Sequence, residues 1–121
     1  IAVEPSADYS GMAGLFSVMA GKPITGDMFA SGKCLAQVKD ISAAMWISDS
    51  SVPAVYAYGA WDKVQAFSAS KKLDAALTAH GVPHEYIVFE HSGHGLQNDN
   101  TQYARYMEKV VEYLDTYMPV R

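Results

Sequence analysis

An α/β fold, with parallel strands covered by helices, is predicted by three features of this sequence. Two short apolar runs, 52–58 and 85–89, read as strands. A helical pattern over 64–80 lies between them, so the strands should pair in parallel through a right-handed crossover. A second, strongly patterned helix follows the second run.

The bulk numbers fit that class. The chain has 121 residues, half of them hydrophobic and 18% charged, which suits one globular domain with one modest core. Nine Lys and Arg stand against 13 Asp and Glu, for a net charge of -4, and no basic run alternates with aromatics. A nucleic-acid partner is therefore not expected. No apolar stretch is long enough to span a membrane. A single cysteine excludes an internal disulfide framework and a cysteine-based zinc site.

Taken in order, residues 2–10 are mixed and hold at most a short strand ending near Tyr9, because Pro5 weakens a central strand. Residues 11–20 read as a short helix or apolar turn closed by Gly21 and Pro23. Residues 21–50 are cut by Gly, Pro, Ser and Asp into short helical pieces and loops; with 11–20 they form a lid or an excursion from the core at 51–121. The run 52–58 ends in Gly59 and suits a strand buried on both faces. In 64–80, Leu73, Ala76, Leu77 and His80 recur at helical spacing, Gly81 is the expected C-terminal cap, and Pro83 stops continuation. After the strand 85–89 comes a glycine-containing loop, 91–97, and then Asn98, Asp99 and Asn100 as candidate helix N-caps. Tyr103, Tyr106, Met107, Val110, Val111, Leu114, Tyr117 and Met118 form one apolar stripe, expected to be core, and Pro119 ends the helix.

Ligand sites in such sheets lie beyond the carboxyl ends of the strands. Two loops fall there, Gly59-Ala60-Trp61-Asp62-Lys63-Val64 and His91-Ser92-Gly93-His94-Gly95-Leu96. A parallel pair brings Asp62 and His94 to one rim. A carboxylate that accepts an imidazole N–H fixes the tautomer, and the other ring nitrogen can then take a proton from a nucleophile. The glycines flanking His94 allow a sharp turn around the ring.

These residues carry a resemblance. Val55 to Val64 is similar to the acid-bearing segment of α/β-hydrolases: a hydrophobic strand, Gly, two residues, Asp, one residue, Val. His91 to Leu96 resembles the family's histidine loop, and the segment between them is also in family order. The esterase/lipase, dienelactone-hydrolase-like and prolyl-oligopeptidase-like branches are the nearest in pattern, over about residues 41–121. Gln65 departs from the Pro that many members carry there.

The resemblance implies Asp62 as triad acid, His94 as triad base, no cofactor and an ester or amide substrate. It also implies a nucleophilic Ser in a Gly-x-Ser-x-Gly elbow before Asp62 in chain order. No such elbow occurs: Ser10, Ser31, Ser51 and Ser92 lack the glycine pair, as does Cys34. The expectation is a C-terminal portion of an α/β-hydrolase, esterase- or lipase-like and inactive alone. Residues 2–10 then correspond to the strand after the nucleophile helix. A non-catalytic binding module and one half of a two-chain hydrolase remain open. In the fragment reading an exposed sheet edge takes the upstream half of the enzyme or a second copy of the chain.

Other residues have plainer readings. His91-x-x-His94 with His84 and Asp62 invites a metal, but no His-Glu-x-x-His partner motif accompanies it. His80 suits a helix C-terminus. Trp61 reads as packing or a pocket wall, Met12, Met19 and Met28 as core filling, and Cys34 as a buried inert thiol.

Overall fold

The computed structural model describes residues 10–65 and 67–120. The strand expected before Ser10 lies outside the described residues. From Ser10 to Met45 the described residues form short helices and turns. Helix α1 spans Ser10–Ala20, α2 Gly26–Ala30 and α3 Leu35–Val38, followed by single 3-10 turns at Lys39–Ile41 and Ala43–Met45. Gly21 ends α1 at φ +62°, and the Gly21 and Lys22 amides return to the Val18 and Ser17 carbonyls, a reciprocal C-terminal cap. Ser17 Oγ then accepts the Ile24 N–H at 2.9 Å, folding the outgoing chain back onto the helix.

Ala13, Phe16, Ile24, Cys34 and Val38 bury one another in a small core, with Met28 packed against it. Met19 is exposed, while Met28 fills core as expected. This helical part meets the rest of the molecule where the Ala43–Met45 turn packs on the helix that follows the first strand.

The second half runs strand, helix, strand, helix, as the sequence predicts. Strand β1 is Ala54–Gly59, helix α4 is Phe67–Ala79, strand β2 is His84–Phe89 and helix α5 is Asn100–Tyr117. The strands pair in parallel, from Ala54 opposite His84 to Gly59 opposite Phe89. Alternation along the strands sends Tyr56, Tyr58 and Tyr86 to one face and Val55, Ile87 and Phe89 to the other. The tyrosine face meets α4: Tyr56 stacks on Tyr86 at 5.1 Å, and Tyr86 bonds the buried Ser70 hydroxyl of α4. The opposite face meets α5, where Lys109 lies 3.7 Å from Glu85. Helices thus cover both faces, which is the α/β arrangement.

Three expectations are adjusted. β1 is half-buried instead of fully buried up to Tyr58, because it has only one strand neighbour among the described residues. Helix α4 starts at Phe67, not at residue 64, because the Asp62 carboxylate holds the Val64 and Gln65 amides in a turn first. The α5 stripe is not wholly core. Of its members Tyr106 and Val110 are half-buried, whereas Tyr103, Met107, Val111, Leu114, Tyr117 and Met118 are exposed. An apolar arc that wide exceeds what two strands can cover.

At the C-terminus of α4, Gly81 adopts φ +63°, with Gly81 N–H to Thr78 O and Val82 N–H to Leu77 O. Leu77 and Val82 are both buried beside this cap, the apolar contact that usually accompanies it. Leu77→Ala should therefore lower the unfolding free energy by about 2–5 kcal/mol in urea titrations. A loss of less than about 1 kcal/mol, as at surface sites, would show that Leu77 does not anchor α4.

Candidate active site

Both strands end at the same rim, since Gly59 is the register partner of Phe89. The loops that leave them then bond each other. Ala60 N–H donates to Phe89 O at 2.9 Å and Trp61 N–H to Ser92 O at 3.0 Å. This approach is possible only because residue 59 is glycine. A Cβ built there would overlap the carbonyl oxygens of Gly93 and Ser92. Here the constraint is space, not backbone angle, because Gly59 is not among the positive-φ glycines.

Asp62 is positioned by its own backbone and fixes the next turn. Its N–H donates to Gly59 O at 3.1 Å. Its Oδ1 accepts the Val64 and Gln65 amides at 2.8 and 2.9 Å. Oδ2 is left for His94, whose Nδ1 lies 2.8 Å away. The carboxylate is 4% exposed and the imidazole 61% exposed, so the acid is buried and the base faces outward. Burial pushes the Asp62 carboxyl up. The Gln65 amide, the His94 hydrogen bond and the Val64 amide together outweigh that, and its pKa ends below the ordinary value.

An ionised Asp62 is acceptor-only, so Nδ1 of His94 carries a proton, and in the neutral imidazole Nε2 is then the nitrogen that presents a lone pair. His94 sits in a four-residue turn closed by Leu96 N–H to Gly93 O at 3.1 Å. Leu96 occupies the left-handed region at φ 52°, unusual for a leucine. A cavity of about 310 Å³ opens here, lined by Ala57, Tyr58, Gly59, Asp62, Gln65, His94 and Leu96. Burial, then the Asp62 charge, then Tyr86 push the Tyr58 hydroxyl up, so it remains a proton donor at neutral pH.

Each of the four histidines stands beside an aspartate, and their settings differ. His80 Nδ1 lies 2.6 Å from Asp49, whose side chain is almost fully exposed. His84 has both nitrogens engaged, Nδ1 with Val82 O at 2.7 Å and Nε2 with Asp74 at 3.0 Å. His91 pairs with Asp99 at 2.9 Å and does not line the cavity. The His94 pair combines a buried acid, a ring nitrogen clear of protein partners and a place on the wall of this cavity. No group of three or more His, Cys, Asp or Glu suited to a metal ion occurs among the described residues. Cys34 is fully buried, and burial raises its thiol pKa. Trp61 is exposed and meets His91 edge-on at 5.8 Å.

Sequence reasoning missed two parts of this rim. One is the steric role of Gly59, although Gly59 belongs to the family pattern. The other is Asp99, read as a helix cap. Asp99 does occupy the N-cap of α5, but its side chain makes no cap hydrogen bond and turns back to His91 and Ser92.

A parallel sheet between two helical layers, with an acid and a histidine on adjoining strand-end loops, is the arrangement of the α/β-hydrolase superfamily. The family model for the prolyl oligopeptidase family matches residues 24–120. The chain belongs to that family, a hydrolase family of the α/β-hydrolase superfamily. No curated protein matches it, and no solved structure does.

Two outcomes follow from this geometry. Gly59→Ala should separate the loops and remove the His94 Nδ1–H to Asp62 hydrogen bond, read as loss of its downfield proton NMR signal. Retention of that signal would show that the loops tolerate a methyl group between them. Asp62→Asn should be less stable than the parent near neutral pH, with the gap closing as pH falls below about 4. The sign follows from the lowered carboxyl, whose contribution is complete above its unfolded pKa and lost as pH falls through the folded one. A gap that stays constant into acid would contradict it.

Proposed function

We propose that this chain supplies the acid and the base of a Ser-His-Asp hydrolase, Asp62 and His94. The observation that carries the reading is the 2.8 Å contact of His94 Nδ1 with the buried Asp62 carboxylate, beside a cavity that His94 also lines. The nucleophilic serine and the oxyanion donors come from a polypeptide segment outside these 121 residues, since no Gly-x-Ser-x-Gly elbow is present. They dock as the upstream half of the same enzyme, or in a two-chain assembly, along the sheet edge. β1 pairs only with β2 among the described residues.

The chemistry follows from the tautomer. His94 Nε2 accepts the serine proton as Oγ bonds to the substrate carbonyl carbon, and Asp62 stabilises the resulting imidazolium. The proton then passes to the leaving alcohol or amine as the acyl–heteroatom bond breaks. Water repeats the sequence on the acyl-enzyme and releases the acid. No cofactor takes part. Carboxylic esters and amides pass through the same tetrahedral intermediate. The family match favours a peptide amide as the substrate, where the sequence motifs put a carboxylic ester first.

An alkyl fluorophosphonate tests the reading on the full natural gene product. It labels a triad serine with release of fluoride, the serine proton going to the histidine. Labelling should be abolished to background by His94→Ala and fall by several orders of magnitude with Asp62→Asn, because the tautomer is then wrong, about 10⁴ in a well-studied triad. Absence of labelling in the parent, or labelling indifferent to His94→Ala, would sink the triad reading and leave a binding module on this fold. Hydrolysis of a peptide anilide against a nitrophenyl ester then separates the two substrate classes.

A further inference from the structure

The loop bearing His94 is closed at its neck by a second, almost buried carboxylate that touches neither the cavity nor His94. Asp99 is 8% exposed. Its Oδ2 accepts the His91 N–H at 3.1 Å and the hydroxyl proton of Ser92, and its Oδ1 lies 2.9 Å from His91 Nδ1. Ser92 is fully buried, and its Oγ accepts the Asn98 N–H at 3.0 Å. Asn98 Nδ2 donates to His91 O at 2.7 Å. Residues 91 and 92 are thus tied to 98 and 99, and 93–97 form a short loop above a hydrogen-bonded neck, a compact Ω-type loop.

The same Ser92 also faces the acid loop. Its carbonyl accepts the Trp61 N–H, and it presses with Gly93 on Gly59. Ser92 therefore touches Asp99 through its side chain and the segment leading to Asp62 through its backbone. The Ser92 hydroxyl, then the His91 contacts, lower the Asp99 carboxyl below its ordinary value against a raising effect of burial, so it is anionic at neutral pH. Asp99 makes these bonds instead of capping α5, since its side chain forms no hydrogen bond with the first-turn amides.

We propose that Asp99 is a positioning residue for the histidine base: through the Ser92 hydroxyl it holds the His94 loop in register with the loop of Asp62. This inference rests on the reading of His94 as the general base. It adds that the Nδ1–H to Asp62 alignment depends on a carboxylate five residues further along the chain. A charge-assisted bond to a fully buried hydroxyl is stronger and geometrically tighter than a neutral one, which suits a loop with two glycines beside the histidine.

The test uses the full natural gene product, an alkyl fluorophosphonate as probe, and Asp99→Asn, Ser92→Ala and His94→Ala. Asp99→Asn and Ser92→Ala should each lower the maximal labelling rate on the order of 10- to 100-fold, the scale of a small misplacement of a reacting group. The probe concentration for half-saturation should be unchanged, and the downfield His94 Nδ1–H signal should broaden or vanish. Ser92→Ala removes one buried oxygen and still tests the positioning role if Asp99→Asn fails to fold. A maximal rate and proton signal like the parent's in Ser92→Ala, with His94→Ala inactive, would overturn the positioning role alone. Labelling that survives His94→Ala would overturn the base reading and this inference with it.

Discussion

The close approach of two backbone segments at the carboxyl end of the sheet governs the rest of this site. Gly59 lies against the Ser92 and Gly93 carbonyls, and the Ala60 and Trp61 amides extend the β1–β2 ladder into the loops. Parallel pairing makes this possible by ending both strands at one level, and the absence of a side chain at 59 makes it sterically allowed. Backbone groups bond the two loops at their base, and the side chains of Ser92 and Asp99 close the neck of the histidine loop beyond it. The loops thus leave the sheet at a set spacing, and α4 and α5 hold that sheet from opposite faces.

Burial is divided unevenly across the pair, and the division has a chemical logic. A buried carboxylate without donors would be protonated, and a neutral acid cannot fix an imidazole tautomer. Asp62 avoids this by taking two backbone amides on one oxygen, leaving the other for His94. The same amides delay the start of α4, so the turn that shortens the helix also keeps the acid charged. The other histidine–aspartate pairs lack part of this arrangement. Asp49 is solvated, the nitrogens of His84 are both occupied, and the Asp99 carboxylate is committed to the loop neck.

Much of the fold was legible in the chain because it depends on local period and punctuation. The apolar runs ending at Gly59 and Phe89, the Gly81 cap and the stripe of α5 each follow from neighbours in sequence. The rim that unites Asp62 with His94 followed from topology alone, once the strands were parallel. What escaped notice depends on contacts between distant segments. No local rule reveals that Gly59 faces a carbonyl from residue 93, or that an aspartate at a helix N-cap turns away from the helix. The α5 stripe misled in the other direction. Periodicity reports which face is apolar, but the number of strands beneath it decides how much of that face is covered.

Under the triad reading, this division also sets what a nucleophile-bearing segment has to provide. The tautomer of His94 is already selected by Asp62, and the loop around it is already tied at Ser92, Asn98 and Asp99. Ordering these groups costs conformational freedom that is lost when the sheet forms, not when substrate arrives. The exposed edge of His94 leaves Nε2 with one missing partner, a hydroxyl. A serine brought to that nitrogen by a docking strand completes the proton path without rearranging either loop. Assembly of the two parts and activation of the nucleophile would then be a single event, and the acid–base half on its own would remain structurally ready and chemically silent.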